Sequence, residues 1–123
     1  MQHAGLGARE FWDSCRAGAM ALQRCSACRR FRYPPRSVCP FCLSVDARWM
    51  PVRGTGTVYV ALVVYPRSRD PQHATSSLVI VELDEGVRMW SNVVGCDPEA
   101  VAIGDRVRLI YDDAGVPRFT LAE

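Results

Sequence analysis

The stretch that decides the fold runs Leu22-Gln23-Arg24-Cys25-Ser26-Ala27-Cys28, then Arg29-Arg30-Phe31-Arg32-Tyr33-Pro34-Pro35-Arg36-Ser37-Val38, then Cys39-Pro40-Phe41-Cys42-Leu43. It contains two C-x-x-C pairs separated by ten residues. Each pair fits on a tight turn that aims both sulfurs at one centre, and the segment between is long enough for two antiparallel strands. Tyr33-Pro34-Pro35 in its middle rules out a helix. Four thiolates at about 2.3 Å complete a tetrahedral zinc site with no open position, so Cys25, Cys28, Cys39 and Cys42 predict a structural Zn2+. The same four sulfurs would also satisfy a rubredoxin-like iron site. A redox dithiol needs one pair only, and disulfides are disfavoured in a reducing compartment. Cys15 and Cys96 stand apart and read as small buried hydrophobes.

Upstream of this module, residues 1–8 are rich in Gly and Ala and read as a loose tail. Arg9 to Ala17 reads as a short helix with Phe11 and Cys15 one turn apart, and Gly18 as its stop. Downstream, the hydrophobic period changes to two. Thr57 to Tyr65 predicts a strand with Val58, Val60, Leu62 and Val64 on one face and apolar residues on the other, as if covered on both sides. A polar loop over 66–76 follows. Leu78 to Leu83 and Val87 to Val94 form a hairpin about Asp84-Glu85-Gly86. Asp97-Pro98-Glu99 predicts a capped helical turn. Alternation around Val107, Leu109 and Tyr111 gives a fourth strand, and Phe119 to Leu121 a fifth, after the turn at 112–115. The fold class expected is mainly β, with an N-terminal tail and helix over 1–20, a zinc ribbon over 21–47, and a five-stranded Greek-key barrel of the oligonucleotide/oligosaccharide-binding (OB) type over 48–123.

No apolar run approaches 18 residues in the 123-residue chain, so a membrane-spanning helix is excluded. The N-terminus also lacks the order of a signal peptide, and a soluble, cytoplasmic protein is expected. All fifteen basic residues are arginine. They are unevenly spread: residues 1–69 carry eleven against three acids, a net +8, and residues 70–123 carry four against ten, a net −6. Four thiolates around zinc offset two of the positive charges in the first half.

Arg24, Arg29, Arg30, Arg32 and Arg36 are interleaved with Phe31, Tyr33 and Phe41 around the cysteines. Charges for phosphates and rings for stacking make a candidate binding patch. The same groups also balance a doubly negative zinc–thiolate centre. A single-stranded nucleic acid is the rival ligand, but the acidic barrel half opposes a phosphate backbone. Catalytic machinery is not legible. His3 and His73 lie in polar or loose sequence, and no nucleophile elbow or phosphate-cradling glycine loop is present. Gly54-Thr55-Gly56 reads as a bend into the barrel, and Asp84 and Glu85 as turn residues.

Phe11-Trp12, Leu22 to Cys28, Tyr33-Pro34-Pro35-Arg36, Cys39 to Cys42, Gly56-Thr57-Val58-Tyr59 and Ser91 to Pro98 occur in an order that spans nearly the whole chain. In this the chain resembles the rubredoxin-like zinc ribbon plus OB-fold proteins, domain-of-unknown-function family thirty-five. The resemblance implies a noncatalytic accessory subunit of acyl-CoA metabolism. Such proteins associate with thiolase-fold enzymes (thiolases, acyltransferases, steroid side-chain aldolases) and in some cases with MaoC-type hydratases. It assigns the four cysteines as zinc ligands and implies no catalytic residue. With no hydratase domain in the sequence, a separate small subunit is expected. Arg24, Arg29, Arg30, Arg32, Tyr33 and Arg36 are its candidate contacts to acyl-CoA or to the partner.

Overall fold

Phe11 and Cys15 are four residues apart and share one face of a helix, α1 (Ala8–Arg16), where both are buried. Glu10 in the first turn and Arg16 in the last complement the helix dipole. The helix stops where Gly18 takes a φ of +76°, and the Gly18 amide donates to the Cys15 carbonyl at 3.0 Å. The Ser14 hydroxyl donates to the Phe11 carbonyl (2.6 Å) and accepts from the Ala21 amide (2.9 Å), tying the helix to the strand that follows. The computed structural model describes residues 8–66 and 75–122; His3, His73 and most of the polar loop expected over 66–76 lie outside these residues. No helix among the described residues is long and apolar enough to cross a membrane.

The ribbon is a three-stranded antiparallel sheet of β1 (Ala21–Cys25), β2 (Phe31–Arg32) and β3 (Ala47–Pro51), in the order β2-β1-β3. β3 pairs with β1 along its whole length, from Ala21 opposite Pro51 to Cys25 opposite Ala47. The expected ribbon–barrel boundary at 47/48 therefore falls inside a strand of the ribbon sheet.

The barrel strands are β4 (Thr55–Val64), β5 (Ser76–Leu83), β6 (Arg88–Ser91), β7 (Arg106–Tyr111) and β8 (Pro117–Leu121), ordered β6-β5-β4-β7-β8. The sheet closes where Val93 lies parallel to Phe119. There the Val94 amide donates to the Phe119 carbonyl (2.8 Å) and the Phe119 amide to the Asn92 carbonyl (3.0 Å). A 3-10 turn, Pro98–Ala100, joins β6 to β7, with the Asp97 carboxylate accepting from the Glu99 amide at 2.9 Å. Five strands, this closure and the helical turn make an OB-fold barrel.

One strand departs from its period-two expectation. The register passes from Val58 opposite Val81 to Val60 opposite Ile80, so Tyr59 is an extra, bulged residue. Val58 is buried, but beyond the bulge Ala61 opposes the buried Val79, and Leu62 and Val64 turn outward, half exposed. The four valine and leucine positions thus do not share a face, and the strand is not covered on both sides. Gly56 stands at a close approach: a Cβ there would meet the Glu82 carbonyl oxygen at 2.6 Å.

Helix, ribbon and barrel share one core. Phe11, Cys15, Met20 and Leu22 pack in the same cluster as Val58, Val79, Val81, Leu83, Val107 and Phe119. Polar contacts reinforce the junction. The Met20 amide donates to the Tyr111 hydroxyl at 2.7 Å, and the Val52 amide to the Met20 carbonyl at 3.1 Å.

Candidate functional site

The two C-x-x-C pairs form matching knuckles. The Arg29 amide donates to the Cys25 carbonyl, and the Leu43 amide to the Cys39 carbonyl, both at 2.9 Å. The Cys25 amide donates to the Arg30 carbonyl and the Cys39 amide to the Ser44 carbonyl, again at 2.9 Å. Each turn closes on a residue with positive φ, Arg29 at 67° and Leu43 at 66°. The four sulfurs lie within 4.8 Å of one another. Cys25 and Cys42 are 3.5 Å apart and Cys28 and Cys39 3.7 Å. A tetrahedral metal with bonds of about 2.3 Å requires sulfur separations of about 3.8 Å, so the donor set fits zinc. Bound there, the metal supplies neutralisation and cross-linking.

The electrostatics also call for a cation. The Cys28 amide donates to the Cys25 sulfur (3.4 Å) and, with a weaker contribution from Ala27, holds that thiol down at about 6 against its burial. Burial opposes ionisation of Cys39, but the Cys42 and Phe41 amides outweigh it and lower its pKa. At Cys42 the Ser44 amide favours the thiolate, yet the Cys25 sulfur, burial and the remaining sulfurs push it up to about 11. Four sulfurs this close become thiolates together only with a positive ion among them. Cys25 and Cys39 are buried, Cys28 is half-buried and Cys42 is exposed. Cys15 lies in the core, where burial pushes its thiol up to about 11; Cys96 is half-buried against the same core.

Three of the five candidate arginines converge. Arg24, Arg29 and Arg30 line a cleft of about 720 Å³ between ribbon and barrel, with Phe31 and Phe41 on the same wall and Arg53, Asp84 and Glu85 opposite. The Arg24 guanidinium lies over the Phe31 ring at 5.2 Å and that of Arg30 over Phe41 at 4.5 Å. Arg24 also donates to the Arg29 carbonyl at 2.8 Å, which fixes its direction. The acidic wall is engaged except at Glu85 Oε1, which is buried without a hydrogen-bond partner. Arg106 donates to both oxygens of Asp84 (2.9 and 3.0 Å), and this, with the Thr55 hydroxyl, holds the Asp84 carboxyl well below the usual carboxylate range. Glu85 accepts from the Arg53 amide at 2.8 Å.

The other candidates are placed elsewhere. Arg32 is only 4 % exposed. It donates to the Gln23 side-chain oxygen (2.9 Å) and the Arg36 carbonyl (3.1 Å), bracing the loop that begins at Tyr33. Tyr33 packs its ring on Phe11 at 5.3 Å, and burial raises its pKa. Arg36 is exposed, and its amide donates to Gln23 at 2.7 Å. The cleft also takes in Met50 and Arg53, which sequence reasoning passed over because nothing local marks them.

A four-cysteine ribbon sharing its core with a five-stranded barrel defines the class of rubredoxin-like zinc ribbon plus OB-fold proteins. Residues 12–46 match the family model of the ChsH2 rubredoxin-like zinc ribbon domain, and residues 49–112 that of the ChsH2 C-terminal OB-fold domain. The chain belongs to this ChsH2-type DUF35 family. It is 35 % identical over 112 residues to a probable enoyl-CoA hydratase alpha subunit of Thermomonospora curvata, covering 90 % of this chain but 35 % of that protein. It is 33 % identical over 90 residues to a DUF35 domain-containing scaffold protein of Methanocaldococcus jannaschii, 72 % of this chain and 64 % of that one. The chain thus spans about a third of the hydratase subunit's length and under two thirds of the scaffold's. Among solved structures, a chain of the Ltp2-ChsH2(DUF35) aldolase superposes with a TM-score of 0.88 at 29 % identity, over 100 % of both chains.

Proposed function

We propose that this chain is a noncatalytic accessory subunit of an acyl-CoA-processing enzyme. It docks on a thiolase-fold partner (a thiolase, an acyltransferase or a steroid side-chain aldolase) and supports that partner's stability and its handling of the CoA ester. The proposed ligands of its structural zinc are Cys25, Cys28, Cys39 and Cys42. The observation that carries this reading is the correspondence, along the whole chain, with a chain of the Ltp2-ChsH2(DUF35) aldolase. Relatives described as a hydratase alpha subunit and as a scaffold protein support the same role, and a MaoC-type hydratase remains a second kind of partner.

The site chemistry agrees. Four sulfurs close the metal site and leave no position for substrate. The cleft of Arg24, Arg29 and Arg30 supplies fixed positive charge beside two rings, a setting for the phosphates and adenine of CoA. The test is co-expression with the Ltp2 chain of the solved aldolase and, separately, with a thiolase-fold enzyme. A stoichiometric complex on size exclusion is expected, with higher soluble yield of the partner. Two separate peaks and an unchanged yield would count against the reading.

A further inference from the structure

The second knuckle places strain and apolar surface at one point. Leu43 has a φ of 66° and is 76 % exposed. That backbone region disfavours side chains with a Cβ, and glycine would occupy it without strain. An exposed leucine gains no burial in return. Val45 (72 % exposed), Phe41 (56 %) and Val38 (40 %) lie within five residues of it in the chain, as does the exposed Cys42. From Ser37 to Val45 there is no ionisable residue other than the two cysteines. The first knuckle has the same backbone at Arg29 (φ 67°), so the conformation belongs to the turn, and it is the exposed apolar run that marks a surface kept for a contact.

We infer that this ribbon tip is where the partner enzyme subunit docks, through an apolar recess with carboxylates on its rim; this rests on the accessory-subunit reading above. The rim follows from charge. Arg29, Arg30 and Arg36 flank the tip, and among the described residues none of them forms an ion pair. Arg30 stacked on Phe41 joins the tip to the basic cleft, so a partner seated on the tip would stand beside any CoA ester held there. It would also cover Cys42, the ligand most open to solvent.

The experiment uses the purified full chain, immobilised, with the purified Ltp2 chain as the probe. The double variant Leu43→Gly/Val45→Ser is compared with wild type and with Trp90→Ser, which alters a separate exposed apolar residue on the barrel. The tip variant should weaken binding about tenfold or more, while Trp90→Ser stays within about twofold of wild type. Leu43→Gly alone should keep one zinc per chain and melt at the same temperature or about 3 °C higher, because its strain is relieved. Binding by the tip variant within twofold of wild type overturns the inference and leaves the accessory reading standing. Loss of binding in Trp90→Ser but not in the tip variant moves the contact to the barrel face and also overturns it. No binding by wild type removes the accessory reading, and this inference with it.

Discussion

Each of the four cysteines meets a different environment, and that difference sets how the metal is held. Cys25 and Cys39 accept amide hydrogen bonds and ionise readily, whereas Cys42 is held protonated, at about 11, when no ion is present. Zinc must therefore displace at least one proton at pH 7, and affinity must rise with pH. Apparent affinity should fall at least tenfold per unit between pH 7 and 6, as measured by competition with a chromophoric chelator. A flat profile would mean that Cys42 is not a ligand. Cys28→Ser and Cys39→Ser should lose the roughly one equivalent of zinc found by elemental analysis and most of the soluble yield, since metal-binding energy here is also folding energy. A metal-free variant with unchanged stability would refute this. The cysteines were legible in sequence because their chemistry is set by local spacing. Arg32 was not: its partner Gln23 lies across β1–β2, and only the strand register shows that a guanidinium faces inward.

The elements followed from hydrophobic period and turn chemistry where these are local. Helix α1, the hairpin at 84–86 and the capped turn at 98–100 all lie within a residue or two of expectation. The bulge at Tyr59 escaped because every residue from Val58 to Val64 is apolar or aromatic, so alternation cannot say which face is inward. The pairing of β3 with β1 escaped for another reason, as it joins segments more than twenty residues apart across the metal knuckles. Two close approaches make these elements testable. Gly56→Ala drives a Cβ into the Glu82 carbonyl and should cost about 2–4 kcal/mol in urea unfolding. Tyr111→Phe removes the acceptor of the Met20 amide and should cost about 1–2 kcal/mol, with zinc content unchanged. A cost near zero would show, for Gly56→Ala, that the β4–β5 approach is looser than the packing indicates and, for Tyr111→Phe, that the junction of ribbon and barrel is.

At the scale of the whole molecule, the proposed accessory role assigns function to surfaces. The chain presents an arginine cleft with two stacked rings and an apolar ribbon tip beside it. A nucleic acid tracked by Arg24, Arg29 and Arg30 would show salt-steep binding, with each Arg→Ala change lowering the salt slope by about one. For a CoA ester, single strands should bind no tighter than the nonspecific range of roughly 10⁻⁴ to 10⁻⁶ M at physiological salt. The same substitutions should instead raise the partner's KM. The most direct measurement is acyl-CoA turnover by the chain alone, by a thiolase-fold partner alone, and by the two together. The accessory-subunit account predicts no turnover by the chain, weak or no turnover by the partner, and full activity in the complex, with KM raised by Arg30→Ala. Turnover by the purified chain alone, or partner activity indifferent to its presence, would contradict it.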